Sequence, residues 1–173
     1  MGLFNVYGYG ARDVIVAGDS AGGNLALELA LKLKEQGRAQ PRGLVLFSPW
    51  TDMTASGKSY RTCKALDPML TMEYIAAVRE AYTGPDADWS RPCYSPLFAD
   101  LRGLPPTLVQ VGTNEILKST VSALWRTCRR PGVRPAGGLP RVLACIPADA
   151  DSQSRRRNGE RGAICAEDHL SGL

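Results

Sequence analysis

Long apolar runs and regularly spaced cysteines are both missing from this sequence of 173 residues. No apolar run approaches the roughly 20 residues that a helix needs to cross a bilayer, so we expect no membrane span. Five cysteines are an odd number, and their spacing fits neither a metal site nor a disulfide framework. The opening residues, MGLFNVYGYG, are too short and too glycine-rich for a secretory signal. These absences predict a protein of a reducing compartment, and we expect it in the cytoplasm.

Lysine is absent from residues 121–173, although that segment holds nine arginines, three of the five cysteines and one aromatic residue, Trp125. Its stretch SQSRRRNGERG has no apolar period. We predict that residues 119–173 form an Arg-, Cys- and Pro-rich tail that is either disordered or read from a shifted coding frame. The alternative is a genuine basic arm for nucleic acid. Charge alone supports that alternative, and we predict no nucleic-acid partner.

Strand and helix patterns alternate over residues 8–118. The apolar stretches VIVAG, LVLF and TLVQV predict three short buried strands. Helices are predicted from LALELALKLK, which precedes Gly37, and from Thr71 to Tyr82, where the threonine can cap the first turn. Apolar strands separated by helices are typical of an α/β fold whose parallel sheet is covered on both faces. We therefore predict one α/β domain over residues 8–118.

The first strand runs directly into GDSAGG, residues 18–23, and then into a helix pattern. Gly18, Ser20 and Gly22 fit the G-x-S-x-G pattern of a nucleophile elbow, where a strained turn projects the serine hydroxyl from the sheet edge. Both glycines would let neighbouring backbone pass without clashes. The N–H of Ala21 would stabilise negative charge on an attacked carbonyl, and Asp19 would stabilise the turn. We predict that Ser20 is a nucleophile; the bland alternative is an ordinary glycine-serine turn.

The stretch VIVAGDSAGGNLALELALKL resembles the elbow of the hormone-sensitive-lipase-like (GDXG) esterases, the alpha/beta hydrolase fold-3 family. The likeness continues through LVLFSPWTDMTASGKSY, ALDPMLT, YSPLFADLRGLPPTLVQVG and NEIL, so it covers about residues 8–118. It implies a partial α/β-hydrolase fold and the hydrolysis of small-molecule carboxylic esters with no cofactor or metal. Trp50 and Asp52 follow the predicted strand LVLF, so they are expected near the active-site edge of the sheet.

The sequence departs from this family at the other members of a catalytic triad. The family's acid follows the strand matching TLVQVG, and here that place holds Asn114, with Glu115 next to it; both are candidates. The family's histidine base comes further along the chain, in a region that holds no histidine here. The sequence has a single histidine, His169, which we expect to be an exposed tail residue beside Asp168.

The segments that precede the elbow in the family also lack a counterpart in this sequence. The HGGG motif, whose N–H groups complete the oxyanion hole, is absent. Without earlier strands, VIVA is expected to lie at an unpaired apolar sheet edge that invites self-association. We therefore predict a serine esterase with impaired catalysis, and the alternative is a degenerate hydrolase that is non-catalytic or serves as a binding module.

Overall fold

A four-stranded parallel sheet forms the centre of the protein in a computed structural model, which describes residues 7–128 and 142–146. The strands lie side by side in chain order: β1 (Ile15–Asp19), β2 (Gly43–Phe47), β3 (Thr107–Gly112) and β4 (Val142–Ile146). The helices between them are α1 (Ala21–Glu35), α2 (Ser59–Thr62), α3 (Met72–Thr83) and α4 (Lys118–Cys128). The predicted α/β architecture is confirmed.

The helices begin and end where the local chemistry of the sequence predicts. The hydroxyl of Thr71 accepts a hydrogen bond from the N–H of Tyr74 at 3.1 Å, which caps α3. Beyond the ends of α1 and α3, Gly37 and Gly84 have positive φ angles of 61° and 84°. Glycine adopts such angles without the steric cost that a side chain would add, so both positions stop a helix.

The core lies where α1 and α4 pack against the two central strands. Leu27 of α1, Leu46 of β2 and Val111 of β3 are at most 2% exposed. From α4, Val121 and Leu124 are buried in the same cluster. Burial of each such side chain stabilises the fold by about 1.5–3 kcal/mol. These contacts therefore fix the positions of the strands and of the loops that follow their carboxyl ends.

Strand β1 is less covered than its neighbours, and it is an edge strand of the described sheet. Ile15, Ala17 and Asp19 are exposed along one of its faces, whereas Val16 and Gly18 on the other face are half-buried. Coverage of both sheet faces, as predicted, therefore does not extend to β1, because none of the described helices packs on its exposed face. Within residues 7–128 and 142–146, β1 pairs with β2 alone.

Regular structure continues past residue 118 into the segment predicted to be a separate tail. Helix α4 is ordered and buries Thr120, Val121 and Leu124 at helical spacing, and the backbone of β4 pairs in parallel with β3. Disorder was one of the two expectations for this segment, and α4 does not show it. Most of the tail lies outside the described residues, and the shifted reading frame stays a prediction.

Candidate active site

Ser20 occupies a strained turn between β1 and α1. Its φ and ψ angles are 51° and −115°, a combination that costs a non-glycine residue about 1–3 kcal/mol. Its N–H donates to the carbonyl of Phe47 at 2.9 Å, while its own carbonyl accepts from the N–H of Trp50 at 3.0 Å. The side chain stays half-buried. Contacts with β2 and the loop after it therefore hold the turn in the strained shape.

Two of the three glycines around Ser20 are required by close packing. A Cβ atom on Gly18 would overlap the backbone carbonyl of Gly22, and one on Gly23 would lie 2.6 Å from the Cβ of Pro49. A Cβ on Gly22 would meet no described atom within 4 Å. The predicted steric role is thus right for Gly18 and wrong for Gly22, because it is the backbone of Gly22 that needs the space. Gly23 was missed, since it lies outside the G-x-S-x-G pattern.

The first turn of α1 presents donors beside Ser20. Ala21 is the first helical residue and is exposed, so its N–H has no acceptor within the helix. The positive end of the helix dipole lies at the same place. This arrangement can stabilise negative charge on an oxygen held against Ser20. Asp19, the last residue of β1, is exposed and projects from the same edge of the sheet.

Asn24 joins three segments under the turn, and it was missed from the sequence. Its side chain is 2% exposed and donates from Nδ2 to the carbonyls of Trp50 at 2.8 Å and Tyr94 at 3.0 Å. Its Oδ1 is buried without a hydrogen-bond partner among the described residues. A polar residue on the buried side of an apolar helix was the available signal, because burying an amide is costly unless it is hydrogen-bonded.

Asp52 shapes the loop after β2 from inside the protein. Its carboxylate is fully buried, and Oδ1 accepts from the N–H and hydroxyl of Thr54 at 2.8 and 2.5 Å. Oδ2 accepts from the N–H and hydroxyl of Ser56 at 3.0 and 2.7 Å. Four donors thus compensate the buried charge. Burial first, and the charge of Asp52 second, raise the pKa of Tyr60 above its ordinary value.

A small apolar cavity of about 140 Å³ opens beside the start of α1. Its walls come from α1, α3 and the loop after β2, and they are formed by Ala21, Asn24, Leu25, Trp50, Met53, Val78 and Tyr82. Trp50 is 4% exposed and donates from Nε1 to the carbonyl of Asp52 at 3.1 Å. This residue is therefore both a packed aromatic and a wall of the cavity.

The two candidate acids follow β3, at the same sheet edge as Ser20. Because β2 lies between β1 and β3, the two strand ends are about 10 Å apart. Glu115 turns back on its own loop, and its Oε1 accepts from the N–H of Gly112 at 2.7 Å. Within the described residues, no hydrogen bond joins Ser20 to Asn114 or Glu115. His169 and Asp168 lie outside the described residues.

Hydrogen bonds from the segment between β2 and β3 hold the loop that carries Asn114. Asp67 accepts from the N–H of Ile116 at 2.8 Å through Oδ2, and from the N–H groups of Met69 and Leu70 at 3.0 and 2.9 Å through Oδ1. The hydroxyl of Ser59 donates to the carbonyl of Ile116. Both backbone groups of Ile116 are therefore held. The role of Asp67 was missed, because its partner lies 49 residues away along the chain.

The described part of the chain offers neither a metal site nor a membrane span. In it, no group of His, Cys, Asp and Glu side chains is arranged to hold a metal ion. None of the helices in this part combines the length and the apolar character that crossing a bilayer requires.

Comparison with known proteins adds independent findings. A family model described as "alpha/beta hydrolase fold" matches residues 5–136. An esterase of Acinetobacter venetianus is 46% identical over 66% of this chain and 40% of its own length. An acetyl-hydrolase of Streptomyces hygroscopicus is 37% identical over 69% of this chain and 40% of its own length. The chain thus spans about two fifths of the length of these relatives.

Solved structures agree with the sequence relatives. A crystal structure of an esterase from the bacterial hormone-sensitive lipase family superposes with a TM-score of 0.73 at 35% identity. The match covers 83% of this chain and 46% of that one.

Proposed function

Because the chain belongs to the alpha/beta hydrolase fold family, among its esterases and lipases, we propose that Ser20 is the nucleophile of a carboxylic ester hydrolase. The observation that carries this proposal is the φ angle of 51° at a half-buried serine between a strand and a helix. Ser48 and Ala55 also have positive φ angles, but no helix begins directly after either of them, so the distinguishing feature is a strained serine at the N-terminus of α1. The esterase and acetyl-hydrolase among the relatives support an ester as substrate.

The chemistry follows from the groups around the turn. The Oγ of Ser20 attacks the ester carbonyl, the alcohol leaves, and water then releases the acid from the acyl-enzyme. The N–H of Ala21 stabilises the oxyanion of each tetrahedral intermediate, and one such donor is typically worth about 10²–10³ in rate. The cavity of about 140 Å³ is close to the size of an engineered apolar cavity that holds benzene. It suits a small apolar acyl or alcohol group.

We further propose that catalysis by this chain of 173 residues is impaired. Asn114 stands where the acid is expected, and the carboxylate of Glu115 is engaged by the N–H of Gly112. The region where the family places its histidine base holds no histidine, and the single histidine of the sequence is His169. The members of a triad act as a unit. Loss of the base therefore leaves a rate acceleration of only about 10³–10⁴ over the uncatalysed reaction in water, which comes from substrate binding and oxyanion contacts.

The amide at position 114 and the apolar cavity favour a second candidate function, which is a non-catalytic hydrolase that binds a ligand beside Ser20. The amide of Asn114 cannot stabilise an imidazolium as a carboxylate does. The cavity beside Ala21 does not depend on the triad, so it would still accept a small apolar group. This candidate predicts ligand binding without any acyl transfer.

A fluorophosphonate probe tests whether Ser20 is activated. Because no base is expected to assist Ser20, a single adduct should form slowly on the natural chain, under excess probe, and not at all on Ser20→Ala. Ser48→Ala is the matched control, because Ser48 follows β2 as Ser20 follows β1, is also half-buried and also has a positive φ, 41°. It should keep the adduct. Absence of an adduct on the natural chain would contradict the nucleophile and favour the binding module.

Hydrolysis of p-nitrophenyl acetate tests the impairment separately. We expect turnover near background, with no difference between the natural chain and Ser20→Ala. Turnover that Ser20→Ala abolishes would show that the missing groups are replaced, and the proposed impairment would then be wrong.

A further inference from the structure

The apolar cavity at the start of α1 has an open side and a closed end. On the open side, Leu25 is 55% exposed and Tyr82 is 50% exposed. Ala21 is exposed as well, and it directly follows the proposed nucleophile. A ligand that enters from this side therefore keeps its polar end near Ser20 and extends its apolar end into the protein.

Three buried residues form the closed end, and hydrogen bonds within residues 20–95 hold them. They are Asn24, Trp50 and Met53, and each is at most 4% exposed. The side chains of Asn24 and Trp50 donate to backbone carbonyls. A methionine side chain has no N–H or O–H group to donate. Met53 is therefore the residue of the closed end whose side chain can be shortened without removing a hydrogen-bond donor.

The backbone of Met53 is held through both of its polar groups. Its N–H donates to the Oγ of Ser95 at 2.8 Å, and its carbonyl accepts from Nη1 of Arg79 at 2.9 Å. The guanidinium of Arg79 also lies 3.5 Å from the centroid of the Trp89 ring. Because these contacts keep the backbone in place, a shorter side chain at position 53 would lengthen the cavity, and the surroundings would not collapse to fill it.

We propose that Met53 is a specificity-determining residue that limits the cavity to groups of up to about six carbon atoms. The cavity of about 140 Å³ is close in size to the engineered apolar cavity of roughly 150 Å³ that holds benzene. The ligand is an ester whose acyl or alcohol group is apolar and stays within this length. The assignment to an ester rests on the proposed function, whereas the size limit rests on the cavity alone.

Binding of the two products of ester hydrolysis tests the limit without catalysis. Straight-chain carboxylates and straight-chain alcohols of increasing length, from acetate and ethanol upward, are titrated into the natural chain by isothermal titration calorimetry. Each added carbon should tighten binding about fourfold until the chain has about six carbons, and further carbons should add nothing. A limit in the carboxylate series assigns the cavity to the acyl group of the ester, and a limit in the alcohol series assigns it to the alcohol group.

Two variants test whether Met53 sets this limit. Met53→Ala removes about three heavy atoms from the closed end, so the limit should move to about nine carbons. Met53→Leu is the matched control, because it conserves the volume of the side chain, and its limit should equal that of the natural chain. A limit that Met53→Ala leaves in place would overturn the proposal, as would the absence of a limit or of binding in both series.

The methyl signal of Met53 in NMR spectra remains decisive if Met53→Ala fails to fold. The sequence has four methionines, and the signal that Met53→Leu lacks identifies Met53 in a methyl-labelled natural chain. This signal should shift with bound ligands of about six carbons and stay unchanged with acetate or ethanol, which do not reach the closed end. Bound ligands of the full length that leave the signal unchanged would refute the role of Met53.

The binding experiments are independent of the reactivity of Ser20. Ser20→Ala should show the same size limit as the natural chain. Failure of the fluorophosphonate adduct would therefore contradict the nucleophile alone, and failure of the size limit would contradict the role of Met53 alone.

Discussion

Glu28 provides a direct test of how α1 packs against its surroundings. It lies two turns after Ser20, and its Oε1 is buried without a hydrogen-bond partner among the described residues. Burial raises the pKa of its carboxyl from 4.5 to about 7. The charge of Glu28 also helps to raise the pKa of Tyr82 on α3, after the burial of that tyrosine itself, so the two side chains face each other.

The sign of the effect follows from which state binds the proton more tightly. Because the carboxyl binds its proton more tightly in the folded state, its stabilising contribution is complete below pH 4.5 and is lost as the pH rises through 7. A gap between 4.5 and about 7 corresponds to at most about 3.5 kcal/mol, at about 1.4 kcal/mol per pKa unit. Because solvent reaches part of this half-buried side chain, we expect about 1–2 kcal/mol.

Glu28→Gln removes the ionisation and keeps the shape of the side chain. Urea unfolding should give the variant about 1–2 kcal/mol more stability than the natural chain at pH 8, and a smaller difference at pH 5. Glu35→Gln on the same helix is the control, because Glu35 is exposed and pairs with Lys32 at the surface. It should change stability little at pH 8. Equal pH dependence of Glu28→Gln and the natural chain would refute the reasoning.

The other predictions concern packing around the turn, and each is measured by urea unfolding. Gly18→Ala should destabilise the fold by about 3 kcal/mol because its Cβ would overlap the backbone of Gly22; Gly22→Ala should cost nothing, and a similar loss there would contradict the geometry. Asp52→Asn turns a donor toward an N–H or hydroxyl donor and should cost about 2–4 kcal/mol, whereas an unchanged midpoint would mean that the carboxylate bonds are not formed. Leu27→Ala should cost about 2–5 kcal/mol, and a loss below about 1 kcal/mol would place Leu27 outside the core.

The elements that position the site could be predicted because their signals are local. The apolar stretch VIVAG and the strand β1 differ by one residue at each end, and Thr71 caps α3 as predicted. The turn at Ser20 was predictable for the same reason, since the G-x-S-x-G pattern lies directly between a strand and a helix. The family resemblance then added the expected places of the acid and base.

What the sequence alone determined is therefore the order of strands and helices, the turn at Ser20 and the family of the chain, because backbone preferences and apolar periodicity act between neighbouring residues. Only the tertiary structure decided that Gly23 rather than Gly22 lacks room for a side chain, that Asp67 holds the loop of Asn114, and that the odd residues of β1 face outward. Each of these depends on contacts between residues far apart in the chain. Such contacts exist only once the sheet has assembled and its helices have packed against it.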